Sequence, residues 1–357
     1  MATAAAVWGG AAAAATTGPA NGLLWHRDLA DECSRLAVSP EAVGEAALRR
    51  LVDFEAAIAR YCAHPFRREV ETEPVLARRG TARLISYGEG ERTVLIVPSL
   101  VNRYYVCDLS GRRSFARWLA ARGWRVLLVD WGSPGEHERR FDCTDYIESV
   151  LEPFAREAAR VSRRPPVVIG YCMGGLLTLP MVMRARVAFS GLVLLAVPWD
   201  FHGGGGPEAR RLAFAGSTFA DMLAESGEMP VDALQTCFYA LDPMLTPRKY
   251  LAFGELEPGS EAERAFVELE DWVNDGVPLA TPVAQECFAG WYGRNETARG
   301  GGGGGRGGSR SGPRRQRCRH GSSFRPETAS CLPLRRLLWR APCPMRPCAA
   351  PVSGISG

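Results

Sequence analysis

The run VVIGYCMGGLL, residues 167–177, sets one thiol between two glycines, and Gly170-Tyr171-Cys172-Met173-Gly174 fits G-x-C-x-G. That pattern is the cysteine form of the nucleophile elbow, a strand-to-helix turn that presents a nucleophile at the end of a sheet. An apolar run precedes it and a helical run follows, so context and motif agree. Glycine at 170 and at 174 suits a strained turn and lets strand and helix close around the thiol. The same turn sets Cys172 at the positive end of the following helix, which is expected to lower its pKa and raise its thiolate fraction. The plainer reading is an inert thiol in a glycine-bearing turn, and it would win for the five-residue pattern alone. The series of parallel-type strands around Cys172 favours the nucleophile.

Acyl transfer at such a thiol also needs two donors for the oxyanion. The Met173 N–H supplies the first, and PSLVN after TVLIV is placed to supply the second from Leu100 or Val101. Alternatively, Pro98 and Ser99 simply form a turn. A base and an orienting acid are harder to find. The histidines are His26, His64, His137, His202 and His320, and none follows a late strand, where this fold places its base. Asp200 ends the strand after the elbow strand, with His202 two residues on, so this pair is the substitute acid and base to consider. A histidine beside the GGGG run at 203–206 is more often solvated than catalytic. Asp130 also ends a strand. Asp145 reads as a helix-dipole partner with Thr144 as N-cap. Asp271, Trp272, Asn274 and Asp275 read as the structural end of a helix. The GGGG run lacks the lysine and helix start of a phosphate loop. No metal site and no cofactor are expected.

The elements that must hold Cys172 are an alternation of strand and helix. ARLISYG, TVLIVPSL, RVLLVDWG, PVVIGYC and GLVLLAVPWD are apolar runs of the kind buried on both faces of a parallel sheet. SGRRSFARWLAARG and TDYIESVLEPFAREAARV are helical stretches between them, which implies right-handed crossovers and an α/β fold. A helical extension is expected over 23–70, where Ser39 is the N-cap and Pro40 the first helical residue of SPEAVGEAALRRLVDFEAAIARYCAHP. The core is expected over 71–200 and a helical cap over 201–298, built from DALQTCFYALDP, SEAERAFVELEDWVNDG and TPVAQECFAGWYG. Residues 1–22 read as a disordered leader.

The chain has 357 residues, 46% of them apolar, enough for a substantial core. Its net charge of +4 divides unevenly: residues 1–300 hold 32 basic and 38 acidic side chains, whereas 301–357 hold 11 arginines and one glutamate. The basic character therefore belongs to the tail. The 11 cysteines include no CxxC pair, and the alanine-rich start lacks the features of a secretory signal. Reduced thiols in a cytoplasm are expected, and no run is apolar enough to suggest a transmembrane segment.

PSLVNRYYVCDL, VLLVDWGSP, DYIESVLEP, GYCMGG, AVPWDFH, ALDPMLTPRKY and LEDWVNDGVPLA together resemble the polyhydroxyalkanoate synthases over roughly residues 60–299. These are acyltransferases of the α/β-hydrolase fold with a Cys-His-Asp triad. The resemblance implies that Cys172 takes (R)-3-hydroxyacyl groups from CoA as a thioester, releases CoA and passes the acyl group to the hydroxyl of the next monomer. It also implies a substrate and no cofactor, a cap over the site, a place at the polyester granule in the cytoplasm, and a homodimer as one open assembly. An esterase or depolymerase on the same fold is an alternative, disfavoured by cysteine in the elbow. A non-catalytic descendant lacking its acid and base is another.

The family's acid and base follow two further strands, in patterns like DRIVP and GHIGM, and neither stands in this chain. From Arg299 the character changes to glycine and arginine. The first 300 residues contain one lysine, Lys249, against 31 arginines, which suggests a GC-rich gene whose codons can be guessed. A one-nucleotide shift at SSFRPETASCLP then permits VVPARDRIVPP, and near SGISG it permits RHIG. We therefore read 299–357 as an out-of-frame tail, with the lost Asp codon straddling Glu327 and Thr328 and the lost His codon straddling Gly354 and Ile355. Sequencing the gene across codons 296–357 decides between this and a genuine disordered RG-rich arm. On this reading the tail arginines are an accident of frame and no nucleic-acid partner is expected.

Overall fold

The computed structural model describes residues 39–69, 73–184, 186–203 and 206–300, together with residue 35. The leader over 1–22 and the tail beyond Gly300 lie outside these residues. The described chain divides into two compact units, one of residues 68–241 with the segment from Asp275, the other of residues up to Arg67 with Asp242–Asn274.

Helix α1 (Pro40–Ala63) starts as its sequence implies, with Pro40 in the first turn and the Ser39 hydroxyl accepting from the Ala42 N–H at 3.2 Å. In the larger unit, six strands form one sheet: β1 (Val75–Arg79), β2 (Ala82–Tyr87), β3 (Arg92–Val97), β4 (Trp124–Asp130), β5 (Val167–Tyr171) and β6 (Gly191–Leu195). Their order is β1-β2-β4-β3-β5-β6. β4, β3, β5 and β6 are mutually parallel, with Leu95 opposite both Leu127 and Val168. Leu84, Leu95, Leu127, Leu128 and Val168 are fully buried, so continuous apolar runs in the sequence become strands covered on both faces.

The first two strands depart from the parallel expectation. ARLISY is antiparallel to both of its neighbours, and the strand before it, VLARR, was not anticipated. Its two arginines hide a strand signal. The connection is Gly80-Thr81, where Gly80 takes φ +55° and the Thr81 N–H donates to Glu138 Oε1 at 3.0 Å. A left-handed glycine in a two-residue loop is what a tight hairpin requires.

Helices join the parallel strands: α2 (Phe115–Ala120) between β3 and β4; α3 (Cys143–Tyr146), a π-helical turn and α4 (Glu152–Val161) between β4 and β5; α5 (Met173–Arg184) between β5 and β6. The N-cap of α3 is Asp142 and not Thr144, and Asp142 and Asp145 form a reciprocal capping box. Asp145 is thus a capping partner. Asp130 accepts from Arg83 Nε at 2.9 Å and from the Gly132 N–H at 3.0 Å, which explains a buried carboxylate at a strand end.

After β6 come α6 (Gly206–Met222) and α7 (Val231–Tyr239), with β7 (Glu228–Met229) between them. The expected single cap over 201–298 is then divided. Helices α8 (Leu245–Gly254) and α9 (Glu261–Asn274) belong with α1 in the smaller unit, around Phe54, Tyr61, Tyr250, Phe253 and Val267. There the buried Lys249 pairs with Glu270, and the Tyr61 hydroxyl donates to Asp271 at 2.6 Å. The chain returns to the larger unit with β8 (Leu279–Ala280), paired to β7, then α10 (Thr281–Gln285) running into a π-helix over Glu286–Gly293.

Candidate active site

Cys172 lies between the last residue of β5 and the first of α5, and its φ is +52°. A left-handed conformation at a residue other than glycine costs about 1–3 kcal/mol and persists only where its surroundings over-determine it. They do so here. The Cys172 N–H donates to the Leu195 carbonyl at 2.9 Å, and its own carbonyl accepts from the Gly175 N–H at 3.0 Å. The neighbouring glycines permit a close approach: a Cβ at 170 would lie 2.6 Å from Gly175 Cα, and one at 174 would lie 2.3 Å from both the Val97 and Pro98 carbonyl oxygens. Gly175 is equally confined, since its Cβ would meet Val197 Cγ2 at 2.1 Å. Sequence reasoning singled out 170 and 174 and passed over 175.

The thiol is 8% exposed and forms part of the wall of an apolar cleft enclosing about 430 Å³, part of it open to solvent. Val101, Met173, Phe238, Phe288, Trp291 and Tyr292 contribute to the same wall. Burial pushes the Cys172 thiol up to about 11, and the hydrogen bond from the Met173 backbone offsets this only in part. The expectation of a lowered pKa at the helix N-terminus is therefore corrected: desolvation of the thiolate outweighs the helix dipole. At neutral pH Cys172 is therefore held as the thiol.

Of the proposed oxyanion donors, Met173 N–H lies against the thiol, as its effect on the Cys172 pKa records. The Val101 side chain lines the cleft, but its N–H donates to Ser99 Oγ at 3.2 Å and its carbonyl accepts from Val277 N–H at 3.1 Å. Leu100 is buried beside it. Trp131 Nε1 donates to the Pro98 carbonyl at 3.0 Å and fixes the loop that carries both residues.

Asp200 and His202 are not brought to Cys172. Neither lines the cleft, and both are engaged in tying the PWDFH loop to the end of the π-helix. Asn295 donates from Nδ2 to Asp200 Oδ1 at 2.7 Å and accepts the Phe201 N–H on Oδ1 at 3.0 Å. Asp200 also accepts the His202 N–H at 3.0 Å, and these bonds, Asn295 first, hold its carboxyl below the usual range. The His202 ring Nε2 lies 2.7 Å from the Tyr292 carbonyl, for which it is the donor. His137 packs on the Phe141 ring at 4.9 Å, and His64 Nδ1 accepts the Phe66 N–H at 3.1 Å. Among the described residues, no histidine lines the cleft. His26 and His320 lie outside those residues.

The residues that sequence reasoning missed are the aromatic wall and its tether. Phe288, Trp291 and Tyr292 fall at i, i+3 and i+4 in TPVAQECFAGWYG, so the helix was legible but the cavity its face lines was not. Asn295, at φ +52°, carried no motif. Among the described residues there is no group of three His, Cys, Asp or Glu side chains able to hold a metal, and no helix long and apolar enough to cross a membrane.

Residues 92–240 match the sequence profile of the alpha/beta hydrolase fold. The poly(3-hydroxyalkanoate) polymerase subunit PhaC of Allochromatium vinosum is 29% identical over 213 residues, 58% of this chain and 59% of that protein. The subunit of the same name from Synechocystis sp. is 30% identical over 214 residues, 58% of this chain and 56% of that one. That from Haloarcula marismortui is 28% identical over 191 residues, 52% and 40% of the two chains. The chain thus spans about half the length of the curated relatives it matches. The elbow, the strand order and the matched profile together give this chain the α/β-hydrolase fold, and over slightly more than half its length it is similar to poly(3-hydroxyalkanoate) polymerase subunits.

Proposed function

We propose that the chain is an acyltransferase that draws (R)-3-hydroxyacyl groups from CoA onto Cys172 and extends a polyester from there. The observation that carries this reading is a thiol in a left-handed elbow on the wall of an apolar cleft. Cys172 Sγ loses its proton to a base and attacks the acyl carbonyl. Negative charge gathers on the carbonyl oxygen, for which Met173 N–H and a donor from Leu100 or Val101 are the proposed partners. Because Val101 N–H already serves Ser99, Leu100 is the better second donor. The carbon–sulfur bond to CoA breaks, CoA leaves with a proton, and a thioester remains on Cys172. The hydroxyl of the next monomer gives up its proton to a base and attacks that thioester, which is more reactive toward an alcohol than an ester would be; the acyl–sulfur bond to Cys172 breaks, the thiol recovers a proton, and the lengthened acyl-CoA can acylate Cys172 again. Action at a polyester granule in the cytoplasm, and a homodimer as the working assembly, belong to the same proposal.

A second reading has a specific observation in its favour: none of His64, His137 and His202 lines the cleft, while the thiol is held as its neutral form. On that reading Cys172 is acylated once, because CoA is a good leaving group, and turns over weakly.

Incubation with (R)-3-hydroxybutyryl-CoA, followed by free CoA and intact-protein mass, tests both. An acyl adduct that Cys172→Ser lowers by about 10³-fold or more is expected. Adduct with polymer supports the polymerase, adduct alone supports single acylation, and free acid without either identifies an esterase. Absence of any Cys172-dependent adduct sinks the proposal.

A further inference from the structure

Glycine is a poor residue for the interior of a helix, so a buried one in the middle of α6 asks for a packing reason. At Gly216 the reason is Phe288. A Cβ built on Gly216 would lie 2.1 Å from Phe288 Cδ1, 2.3 Å from Cγ and 2.5 Å from Cε1. The aromatic ring therefore rests directly on the glycine backbone. Phe288 is 1% exposed and lies on the wall of the cleft that holds Cys172. Its ring is also stacked on Tyr292, with centroids 6.1 Å apart, and tilted against Phe238 at 6.4 Å. Those two rings are cleft residues themselves. The Phe288 ring is thus packed on Gly216 on one side and borders the cleft on another. A close-packed interior admits an added methyl only by moving a neighbour.

We propose that Gly216 is a specificity-determining residue: its missing side chain holds Phe288 back and so sets the length of hydrocarbon that the cleft accepts beside Cys172. This rests on the reading above, that the acyl group enters this cleft. The ligand class is an acyl group with an aliphatic chain, since the cleft wall offers almost nothing but apolar and aromatic surface. A side chain at 216 pushes the ring into that space and shortens the acceptable chain without touching the thiol.

The test uses thiol alkylation at a fixed alkaline pH, where the solvent takes the proton from the thiol and neither an enzymic base nor turnover is needed. N-methylmaleimide and N-octylmaleimide are compared by the rate at which the Cys172 peptide is labelled, in the full chain and in Gly216→Ala. The expected result is methyl labelling within twofold of the parent and octyl labelling at least tenfold slower. Adding Phe288→Ala to Gly216→Ala is expected to return the octyl rate to within threefold. Phe288→Ala alone is expected to raise the octyl-to-methyl ratio about fivefold, which keeps the idea open to refutation if Gly216→Ala does not fold. An octyl rate unmoved by Gly216→Ala, or both rates falling together, or Phe288→Ala leaving the ratio unchanged, overturns it. Acylation by four-carbon and eight-carbon hydroxyacyl-CoA is run alongside. If neither acylates Cys172, the proposed function fails while the maleimide ratio still decides the role of Gly216.

Discussion

At the scale of single residues, the thiol of Cys172 is governed by two opposed influences. The head of α5 and the Met173 N–H favour the thiolate, whereas burial in an apolar cleft favours the thiol, and burial prevails at about 11. Because only the thiolate reacts, iodoacetamide labelling of Cys172 is expected to rise about tenfold per pH unit from pH 8 and to level off near pH 11. A plateau near pH 7, read from the labelled peptide, would show that a base outside the described residues serves the thiol. The same shift has a sign for stability. The folded thiol keeps its proton up to about 11 while an unfolded cysteine ionises at about 8.5, so this contribution is complete below the lower value and is lost as pH rises toward the upper one. Cys172 itself was legible because glycine at 170 and 174 marks the turn. The balance of its pKa was not, since it depends on side chains from α7 and the π-helix that close over it.

At the scale of elements, the elbow works because strand, turn and helix approach more closely than side chains allow. Gly174→Ala would set a methyl 2.3 Å from the carbonyl oxygens of Val97 and Pro98. Val97 is paired in the sheet with Gly170, and the Pro98 carbonyl is held by Trp131, so neither gives way cheaply. A loss of about 1–3 kcal/mol is expected, as for other overpacked core sites, measured as a shift in the urea midpoint. Asn295→Ala acts on a different element. It removes both bonds from the side chain to the PWDFH loop, and a destabilisation of about 1–2 kcal/mol is expected in the same assay, together with faster Cys172 labelling as Phe201 and Tyr292 loosen. Parallel strands and crossover helices were readable from continuous apolar runs, and the centres of β3, β4 and β5 are buried as such runs imply, whereas β6 is not. The β1–β2 hairpin was not, since VLARR carries two exposed arginines, and the glycine that makes its turn is one among many. Nor was the tether, whose partners stand 95 residues apart.

At the scale of the whole molecule, two outcomes lie beyond local reading. The grouping of α1 with α8 and α9 joins segments roughly 200 residues apart, as the bond from Arg60 Nε to Glu263 at 2.8 Å illustrates, and neither segment alone announces its partner. The other concerns the edge of the sheet. Among the described residues β6 pairs only with β5, and Val193, Leu194 and Leu195 are 47%, 43% and 47% exposed. Successive strand residues point to opposite faces, so this strand is uncovered on both. An apolar strand with an open edge is a template for pairing with another chain. Concentration-dependent self-association is therefore expected from this chain, followed by light scattering or sedimentation, and Leu194→Lys is expected to suppress it at least severalfold by placing a charge on the edge. The reading of residues 299–357 as out of frame makes a companion demand: a chain carrying the shifted frame from about codon 300 should remain dispersed at concentrations where the present one associates. Equal association of the two chains would count against that reading, and equal association of the parent and Leu194→Lys would remove β6 as the contact.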